Sequence, residues 1–396
     1  MSIYLDNNAT APSSDPVKEA IARTLDDPQA NPSSAHSSGQ LMRGIIERAR
    51  ERLADWLGGF SENYIFTSGC TEANNTVVRS VAIRGAHRAR IAVSAIEHPS
   101  VLGPCESLEA EDGMEVTRVP VDKNGRLDLS CLISALETGV ELVCVQWVNS
   151  EIGVVQDIDT ISGFCRKYGA KLHVDAAQAV GRLALDVSRT PVDFLSFSGH
   201  KLHALPGIGV LYAADPSSVR PLIYGGGQER GMRSGTENWI GIATLEAALA
   251  DRMASLQDHI RYMCQLRDVF EDGLLESSPW VVINGRRATT VCNTSNVRFP
   301  GIDGQALVAR LDRKGVICSQ TSACSSSRPE PSYVLRAIGL SEDDAYSSVR
   351  FSVSVLNSLS EIEEAVEVIA GEANALRALC APADTTPKTL EQETLV

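Results

Sequence analysis

The chain has 396 residues, 43% of them hydrophobic, which is enough to bury a large core and to divide into more than one domain. Its 36 lysines and arginines face 50 acidic residues, and the net charge of −14 argues against direct binding of nucleic acid, which requires a basic face. The sequence has neither an apolar run of about 18 residues nor a leader with a basic and an apolar region, so we expect a soluble, cytoplasmic protein that contacts no membrane.

The first elements are structural. Residues 3–10 are predicted to form a short strand that runs into a polar turn, and residues 15–25 a helix. Apolar side chains recur at helical spacing between residues 41 and 56, which predicts a long amphipathic helix.

The next strand ends at a loop suited to an anion. Residues 64–67 are predicted to be a strand, and small and hydroxyl side chains at 68–75 open a helix. A helix start of this kind offers free amides and the positive end of the helix dipole, which favour a phosphate group. Cys70 and Thr71 are therefore candidate phosphate-binding residues, with ordinary capping as the alternative.

Strands and helices then alternate. Strands are predicted at 90–96, 116–121 and 141–148, with a helix near 130–136. This alternation predicts a mostly parallel sheet covered on both faces, and such sheets bind ligands beyond the carboxyl ends of their strands. His98 and the pair Asn149 and Ser150 follow two of these strands and are candidate site residues.

Two further strands end in an acid and a base. Asp175 ends the apolar strand that begins at Lys171, and Ser198-Gly199-His200-Lys201 follows the apolar run 192–197. A desolvated lysine has a lowered pKa and can hold a carbonyl cofactor as an imine. An adjacent aspartate keeps the pyridine nitrogen of pyridoxal 5'-phosphate protonated. Alone, Lys201 is typical of a surface lysine and Asp175 of a structural ion pair, but together they indicate this cofactor, with Gln178 near the ring's phenolic oxygen.

The segment His-Val-Asp-Ala-Ala-Gln at 173–178, followed by Ser-Gly-His-Lys at 198–201, resembles the pyridoxal phosphate-dependent cysteine desulfurases of the class V aminotransferase group. The resemblance covers about residues 3–379, with the motifs in the family's order. It implies an α/β protein of pyridoxal phosphate fold type I, with a mostly parallel seven-stranded sheet in a large domain and a smaller C-terminal α/β domain. It also implies that Lys201 bonds the cofactor and moves the substrate's α-proton, and that His98 stacks on the pyridine ring. The cofactor-binding residues that it implies are Cys70, Thr71, His98, Ser150, Asp175, Gln178, Ser198, His200, Lys201 and Thr236.

The predicted domains are 1–250, with an N-terminal segment shared with the second domain, and 251–380. A long helical stretch from about 245 to 275 leads out of the first domain. Strands at 280–283, 292–299 and 316–319 then alternate with helices at 305–313 and 361–379. The polar tail 381–396 lacks periodicity and is predicted to be disordered.

A glycine-rich segment predicts a second subunit. Residues 225–231 read Gly-Gly-Gly-Gln-Glu-Arg-Gly and lead to Thr236. Alone, this is a flexible glycine loop. In the family that it resembles, the threonine reaches the cofactor phosphate of the partner subunit, which implies a homodimer with shared sites.

One of the ten cysteines differs from the rest. The ten show no CxxC and no zinc spacing, so no metal site is predicted, and most are expected to be buried apolar side chains in a reducing compartment. Cys324 lies instead among small polar residues at 319–332, which favours exposure and mobility. A thiolate there can take sulfur from a substrate and carry it to an acceptor. Ala-Cys-Ser-Ser followed by Glu-Pro-Ser-Tyr resembles the long catalytic loop of group I cysteine desulfurases.

Arg350 offers a planar fork for a carboxylate, although a surface arginine is the plain alternative. The resemblance implies that Arg350 and Asn149 bind the substrate L-cysteine. The predicted reaction converts L-cysteine to L-alanine and transfers sulfur, as a persulfide on Cys324, to an acceptor protein. Iron–sulfur cluster assembly, tRNA thiolation and DNA sulfur modification stay open as its use.

Three positions depart from the family pattern: Ser150 replaces an asparagine, Pro206 replaces a lysine, and Val355 replaces an arginine. They keep two rival functions open. One is another pyridoxal phosphate enzyme acting on an amino acid, such as a selenocysteine lyase or an aminotransferase. The other is a non-catalytic sulfur-relay or assembly subunit that has kept the fold.

Overall fold

The structure is a computed structural model that describes residues 2–27, 29–82, 89–285, 288–320 and 330–380. Cys324, and the tail 381–396 that is predicted to be disordered, lie outside the described residues. Within these ranges, no helix is both long enough and apolar enough to cross a membrane.

The described strands are β1 (Ile3–Tyr4), β2 (Tyr64–Thr67), β3 (Arg90–Ser94), β4 (Glu115–Val119), β5 (Leu142–Gln146), β6 (Lys171–Asp175), β7 (Phe194–Ser198), β8 (Gly209–Ala213), β9 (Val282–Asn284), β10 (Thr294–Arg298), β11 (Val316–Ile317) and β12 (Ser348–Ser352). The described α-helices are α1 (Asp15–Asp26), α2 (Ser37–Leu57), α3 (Cys70–Ala82), α4 (Pro99–Asp112), α5 (Leu129–Glu137), α6 (Ile158–Tyr168), α7 (Trp239–Ala254), α8 (Leu256–Ser277), α9 (Gly304–Arg313), α10 (Tyr333–Ala337), α11 (Glu342–Tyr346) and α12 (Leu359–Cys380).

The main sheet has seven strands in the order β2-β8-β7-β6-β5-β3-β4. Strands β7, β6, β5, β3 and β4 pair in parallel, while β8 is antiparallel to both of its neighbours. The central strands β5 and β7 are buried at every position, which explains their continuous apolar sequences. The predicted fold class, with its mostly parallel seven-stranded sheet, is confirmed.

Two smaller sheets involve the C-terminal part of the chain. Strands β12, β10 and β9 form an antiparallel sheet, and β1 pairs in parallel with β11. The N-terminal segment therefore joins the C-terminal strands, as the predicted sharing requires. One apolar cluster extends from Leu5 through Phe197 of the main sheet to Phe351 of β12. The division into domains at residue 250 stays a prediction.

The helical stretch predicted from about 245 to 275 is present, with one interruption that the sequence does not predict. The chain forms two helices there, α7 and α8, and Ser255 between them has φ −139° and ψ 37°, outside the helical region. Leu245 and Leu249 of α7 are buried, as are Met263 and Leu266 of α8, so the apolar periodicity passes over the break. No glycine or proline marks it in the sequence.

Gly209 at the start of β8 lets the loop after β2 pack closely against the sheet, because a Cβ atom there would lie 2.5 Å from the Cα of Gly69. We expect Gly209→Ala to lower the free energy of unfolding by about 2 kcal/mol, measured as the midpoint of urea denaturation. The matched control is Gly163→Ala in α6, where nothing lies within 4 Å of the added Cβ. That variant should gain about 0.5–1 kcal/mol from helix propensity. Equal midpoints for the two variants would contradict the packing argument.

Candidate active site

The candidate residues gather at the carboxyl ends of the parallel strands. Asp175 ends β6, and Lys201 lies in the turn directly after β7. His98 follows β3, while Asn149 and Ser150 follow β5. The chain order of the parallel strands thus brings side chains from distant sequence positions to one edge of the sheet.

Lys201 is held by backbone carbonyl groups. Its Nζ donates to the carbonyl oxygens of Asn8 and Ala9, the latter at 2.6 Å. Burial, reinforced by the positive charges of Arg350 and Arg182, lowers the pKa of Lys201 to about 8. A large fraction of the amine is therefore neutral near pH 8, the state in which a lysine is a nucleophile or a base.

Asp175 is buried and well supported. Its Oδ2 accepts a hydrogen bond from Asn74 Nδ2 at 2.9 Å, and its Oδ1 accepts from the Ala177 amide at 2.9 Å and from Cys70 Sγ at 3.5 Å. A carboxylate has about four acceptor directions, so one more donor can be accommodated. A protonated pyridine nitrogen is a donor of that kind.

Asn74 connects Asp175 to His98. The amide nitrogen of Asn74 also donates to Ser100 Oγ at 2.8 Å, and that hydroxyl lies 2.8 Å from His98 Nδ1. The Ser100 backbone amide can only donate, and it does so to the same Nδ1 at 3.1 Å. Nδ1 therefore carries the lone pair, and the proton of the neutral ring is on Nε2. Burial within the cleft lowers the pKa of His98, which agrees with a neutral ring.

The loop after β2, predicted to bind a phosphate, lies against the end of β7. Ser198 Oγ accepts a hydrogen bond from the Cys70 amide at 2.7 Å, which fixes the start of α3 against the end of β7. Thr71 is exposed in the first turn of that helix. His200 lies 3.1 Å from Thr10, between Nδ1 and Oγ1, and burial lowers its pKa to about 4, so it is neutral at pH 7.

Gln178 lies beside Lys201. Its Nε2 donates to the Asn8 carbonyl oxygen at 3.0 Å, the same oxygen that Lys201 binds. Its Oε1 accepts from the buried Arg182, whose Nη2 donates to the Lys201 carbonyl oxygen at 3.3 Å. Burial lowers the pKa of Arg182 to about 10.

Arg350 lies in the middle of β12. Its Nη2 pairs with Asp6 Oδ1 at 2.7 Å, and its Nη1 donates to the Ser150 carbonyl oxygen at 3.3 Å. Its Nε is buried and has no hydrogen-bond partner within the part of the chain that the structure describes. Ser150 thus contributes its backbone to the site.

The Asn149 side chain forms its hydrogen bonds with backbone groups. Its Oδ1 accepts from the amides of Glu151 and Ile152 at 2.9 and 3.0 Å, and its Nδ2 donates to the Ile96 carbonyl oxygen at 3.2 Å. One amide hydrogen is left for a ligand. Thr236 is exposed. Arg233, between the glycine-rich segment and Thr236, is linked to α3 by a 3.0 Å ion pair with Glu72.

Sequence analysis did not single out Asn74, Asp6 or Arg182. Asn74 lies one helical turn after Cys70, so its position on the same face of α3 was the available signal. Asp6 lies in the strand-to-turn motif at the N-terminus but contacts Arg350, 344 residues away. Arg182 lies four residues after Gln178, and its sequence context does not predict a place in the site.

Comparisons with known proteins identify the family of the chain. The aminotransferase class-V family model matches residues 3–365. The chain is 39% identical over 377 residues to a cysteine desulfurase of a Nostoc species, covering 95% of this chain and 94% of that one. A solved NifS-like protein from Rickettsia africae superposes with a TM-score of 0.85 at 32% identity, covering 94% of this chain and 100% of the other. A structure described as SspA in complex with cysteine has a TM-score of 0.76 at 30% identity, covering 89% of this chain and 99% of the other.

The chain therefore belongs to the class V aminotransferase family, in the branch whose curated members are named cysteine desulfurases. This confirms the family resemblance. Members of this branch use pyridoxal phosphate. The residues present fit that cofactor: Asp175 has acceptor capacity for the pyridine nitrogen, Lys201 has a neutral amine near pH 8, and the first turn of α3 offers free amides to the phosphate.

The positive charge of Arg350 lowers the pKa of Lys201, so removing it should raise that pKa. In Arg350→Gln, Asp6 loses its ion-pair partner and acts in the same direction. We expect the pH midpoint at which Lys201 of the cofactor-free protein is acetylated, near 8 in the parent, to move upward by at least half a unit. Mass spectrometry of labelled peptides measures it. The control is Arg118→Gln, which removes an arginine of β4 that pairs with Glu109 of α4. This variant should leave the acetylation midpoint of Lys201 unchanged. A downward shift in Arg350→Gln would contradict the assignment.

Proposed function

We propose that the protein is a cysteine desulfurase that removes the sulfur of L-cysteine, releases L-alanine and carries the sulfur on Cys324 to an acceptor protein. The observation that carries the proposal is that Lys201 and Asp175 lie at the carboxyl edge of the main sheet, where Arg350 of β12 reaches the Ser150 carbonyl oxygen. These groups supply a reactive amine, a partner for a pyridine nitrogen and a carboxylate-binding fork.

In this proposal Arg350 binds the carboxylate of L-cysteine. Its buried Nε lacks an acceptor within the described residues, and a buried donor without an acceptor costs about 1–3 kcal/mol. A substrate carboxylate removes that cost. The remaining amide hydrogen of Asn149 is a second donor for the substrate.

Pyridoxal phosphate, when bound, supplies an electron sink that stabilises negative charge on the substrate's Cα. Lys201 Nζ is the base that takes the Cα proton, because its pKa of about 8 leaves it partly neutral at physiological pH. His98 keeps Nε2–H as its free donor, since Nδ1 is occupied by Ser100. The Cys324 thiolate then bonds to the substrate's sulfur, and the Cβ–S bond breaks with its electron pair left on the carbon side. Cβ takes one proton and Cα regains one, which gives alanine and leaves the sulfur as a persulfide on Cys324.

The described residues that flank Cys324 support its role. On one side, Ser319 Oγ donates to Asp6 Oδ2 at 2.7 Å, next to Arg350. On the other side, Ser332 Oγ donates to Glu151 Oε2 at 2.5 Å, and the Tyr333 hydroxyl donates to the carbonyl oxygen of Glu97, the neighbour of His98. Both ends of the segment that carries Cys324 are thus attached to the site.

Cys324→Ala should abolish the release of alanine and sulfide from L-cysteine in the presence of a reductant. The visible absorbance band of bound pyridoxal phosphate should stay intact, because none of the residues proposed to hold the cofactor is changed. The matched control is Cys264→Ala, a half-buried thiol in α8, which should turn over like the parent.

Unchanged turnover of L-cysteine in Cys324→Ala would exclude Cys324 as the residue that accepts the substrate's sulfur. Release of selenide from selenocysteine by the parent, without sulfide from cysteine, would favour the selenocysteine lyase. An intact band with no turnover of either substrate would favour the assembly subunit.

We also propose a homodimer with shared sites and a cytoplasmic location. Leu222, Ile223 and Tyr224 are exposed apolar side chains directly before the glycine-rich segment, and Tyr224 is 76% exposed. An apolar patch of this kind suits a subunit contact. Thr236 is then the residue that reaches the partner's phosphate. The described cysteines are free thiols, which suits a reducing compartment.

Hybrid dimers test the shared site. When inactive Lys201→Ala chains are mixed with Thr236→Ala chains, a hybrid with shared sites has one site with both lesions and one with neither. We expect the mixture to recover up to half of the parent activity per hybrid, above the sum of the two variants alone. Activity equal to that sum, with hybrid formation verified by native mass spectrometry, would contradict sharing.

A further inference from the structure

Asp6 bridges two parts of the site. Its Oδ1 accepts from Arg350 Nη2 at 2.7 Å, and its Oδ2 accepts from Ser319 Oγ at 2.7 Å. The carboxylate is largely buried, with 13% of its side chain exposed, and Arg350 is the cation paired with it. Each oxygen of Asp6 therefore has its own partner, which defines the orientation of the carboxylate.

The backbone places these three residues side by side. Strand β1 pairs with β11, and beyond that pairing the Leu5 amide donates to the Ile317 carbonyl oxygen at 2.8 Å. Ser319 and Arg350 exchange backbone hydrogen bonds of 3.3 and 2.8 Å. Asp6 itself forms a bridge with Ser352 of β12. The contact between Asp6 and Arg350 is therefore fixed by three neighbouring extended segments rather than by flexible side chains alone.

The same N-terminal segment reaches the reactive amine. The carbonyl oxygens of Asn8 and Ala9 accept from Lys201 Nζ, and Asn8 Nδ2 donates to the Ser150 carbonyl oxygen at 3.0 Å. That carbonyl is also the acceptor of Arg350 Nη1. Residues 6–9 thus touch Arg350, the Ser150 backbone and Lys201.

We propose that Asp6 is a positioning residue for substrate binding: it holds the Arg350 guanidinium through Nη2 so that the buried Nε is presented to the substrate carboxylate. The inference rests on the proposed role of Arg350. A guanidinium has five N–H donors, and Asp6 and Ser150 occupy one on each terminal nitrogen. The substrate carboxylate and Asp6 therefore bind the same cation together and do not compete for one donor.

Charge balance supports simultaneous binding. Arg350, Arg182 and Lys201 lie close enough for the two arginines to lower the pKa of Lys201. A site with two arginine cations, Arg350 and Arg182, can accept a second carboxylate beside Asp6. Removing the charge of Asp6 leaves Arg350 buried without its anion and free to take other side-chain orientations.

The test uses the holoenzyme with Asp6→Asn, a variant of the same shape without the charge. The control is Asp15→Asn, the same substitution at an exposed residue paired only with Lys18. Binding of L-alanine and of ethylamine, which lacks the carboxylate, is followed by the change in the cofactor's visible band. We expect Asp6→Asn to weaken L-alanine about tenfold, to leave ethylamine unchanged, and to raise KM for L-cysteine with kcat within about twofold. Asp6→Glu should restore part of the loss.

Unchanged or tighter binding of L-alanine in Asp6→Asn would overturn the inference, because Asp6 would then be a bystander or a competitor. Equal weakening of L-alanine and ethylamine would overturn it as well, since that pattern reports general damage. Arg350→Lys separates this inference from the proposed function. If Arg350→Lys leaves L-alanine binding unchanged, the role proposed for Arg350 fails. If Arg350→Lys weakens binding and Asp6→Asn adds nothing further in that background, Asp6 acts through Arg350.

Discussion

The site depends on the backbone pairing of the N-terminal segment with the C-terminal strands. Strand β1 pairs with β11, and the chain then crosses to the main sheet, where the carbonyl groups of Asn8 and Ala9 receive Lys201. This pairing brings Asp6 to Arg350, 344 positions away in the chain. Without it, Arg350 and Lys201 would be attached to separate sheets and would not share the N-terminal segment as a contact.

Asp175 and Lys201 have different kinds of partners in the cleft. Asp175 is buried among donors from Asn74, Ala177 and Cys70, so its negative charge is stabilised by hydrogen bonds rather than by a direct ion pair within the described residues. Lys201, in contrast, has carbonyl partners and two nearby arginines. The first arrangement leaves Asp175 able to accept one more hydrogen bond, and the second lowers the pKa of Lys201 and favours a neutral amine. The two groups are thus set to opposite tasks by their surroundings.

The sequence predicts the elements that repeat a local pattern. The strands that end at Asp175 and Ser198, and the parallel order that places Lys201 near them, follow from alternating apolar strands and helices and are confirmed. The break at Ser255 could not be predicted, because the apolar periodicity continues across it and no glycine or proline marks it. Asp6 and Asn74 were missed because their roles arise from contacts with residues that are remote in sequence.

Contacts between residues remote in sequence also set the pKa of Lys201. Burial accounts for most of the lowered pKa of Lys201, and Arg350 and Arg182 add to it, while Asp6 opposes it. Asp6 and Arg350 are a pair, so their effects on Lys201 partly cancel as long as they stay together. A carboxylate that binds to Arg350 from the substrate adds a second negative charge and shifts that balance toward a more basic Lys201. In the proposed reaction, binding of the substrate therefore makes Lys201, the residue that takes the substrate's proton, a stronger base.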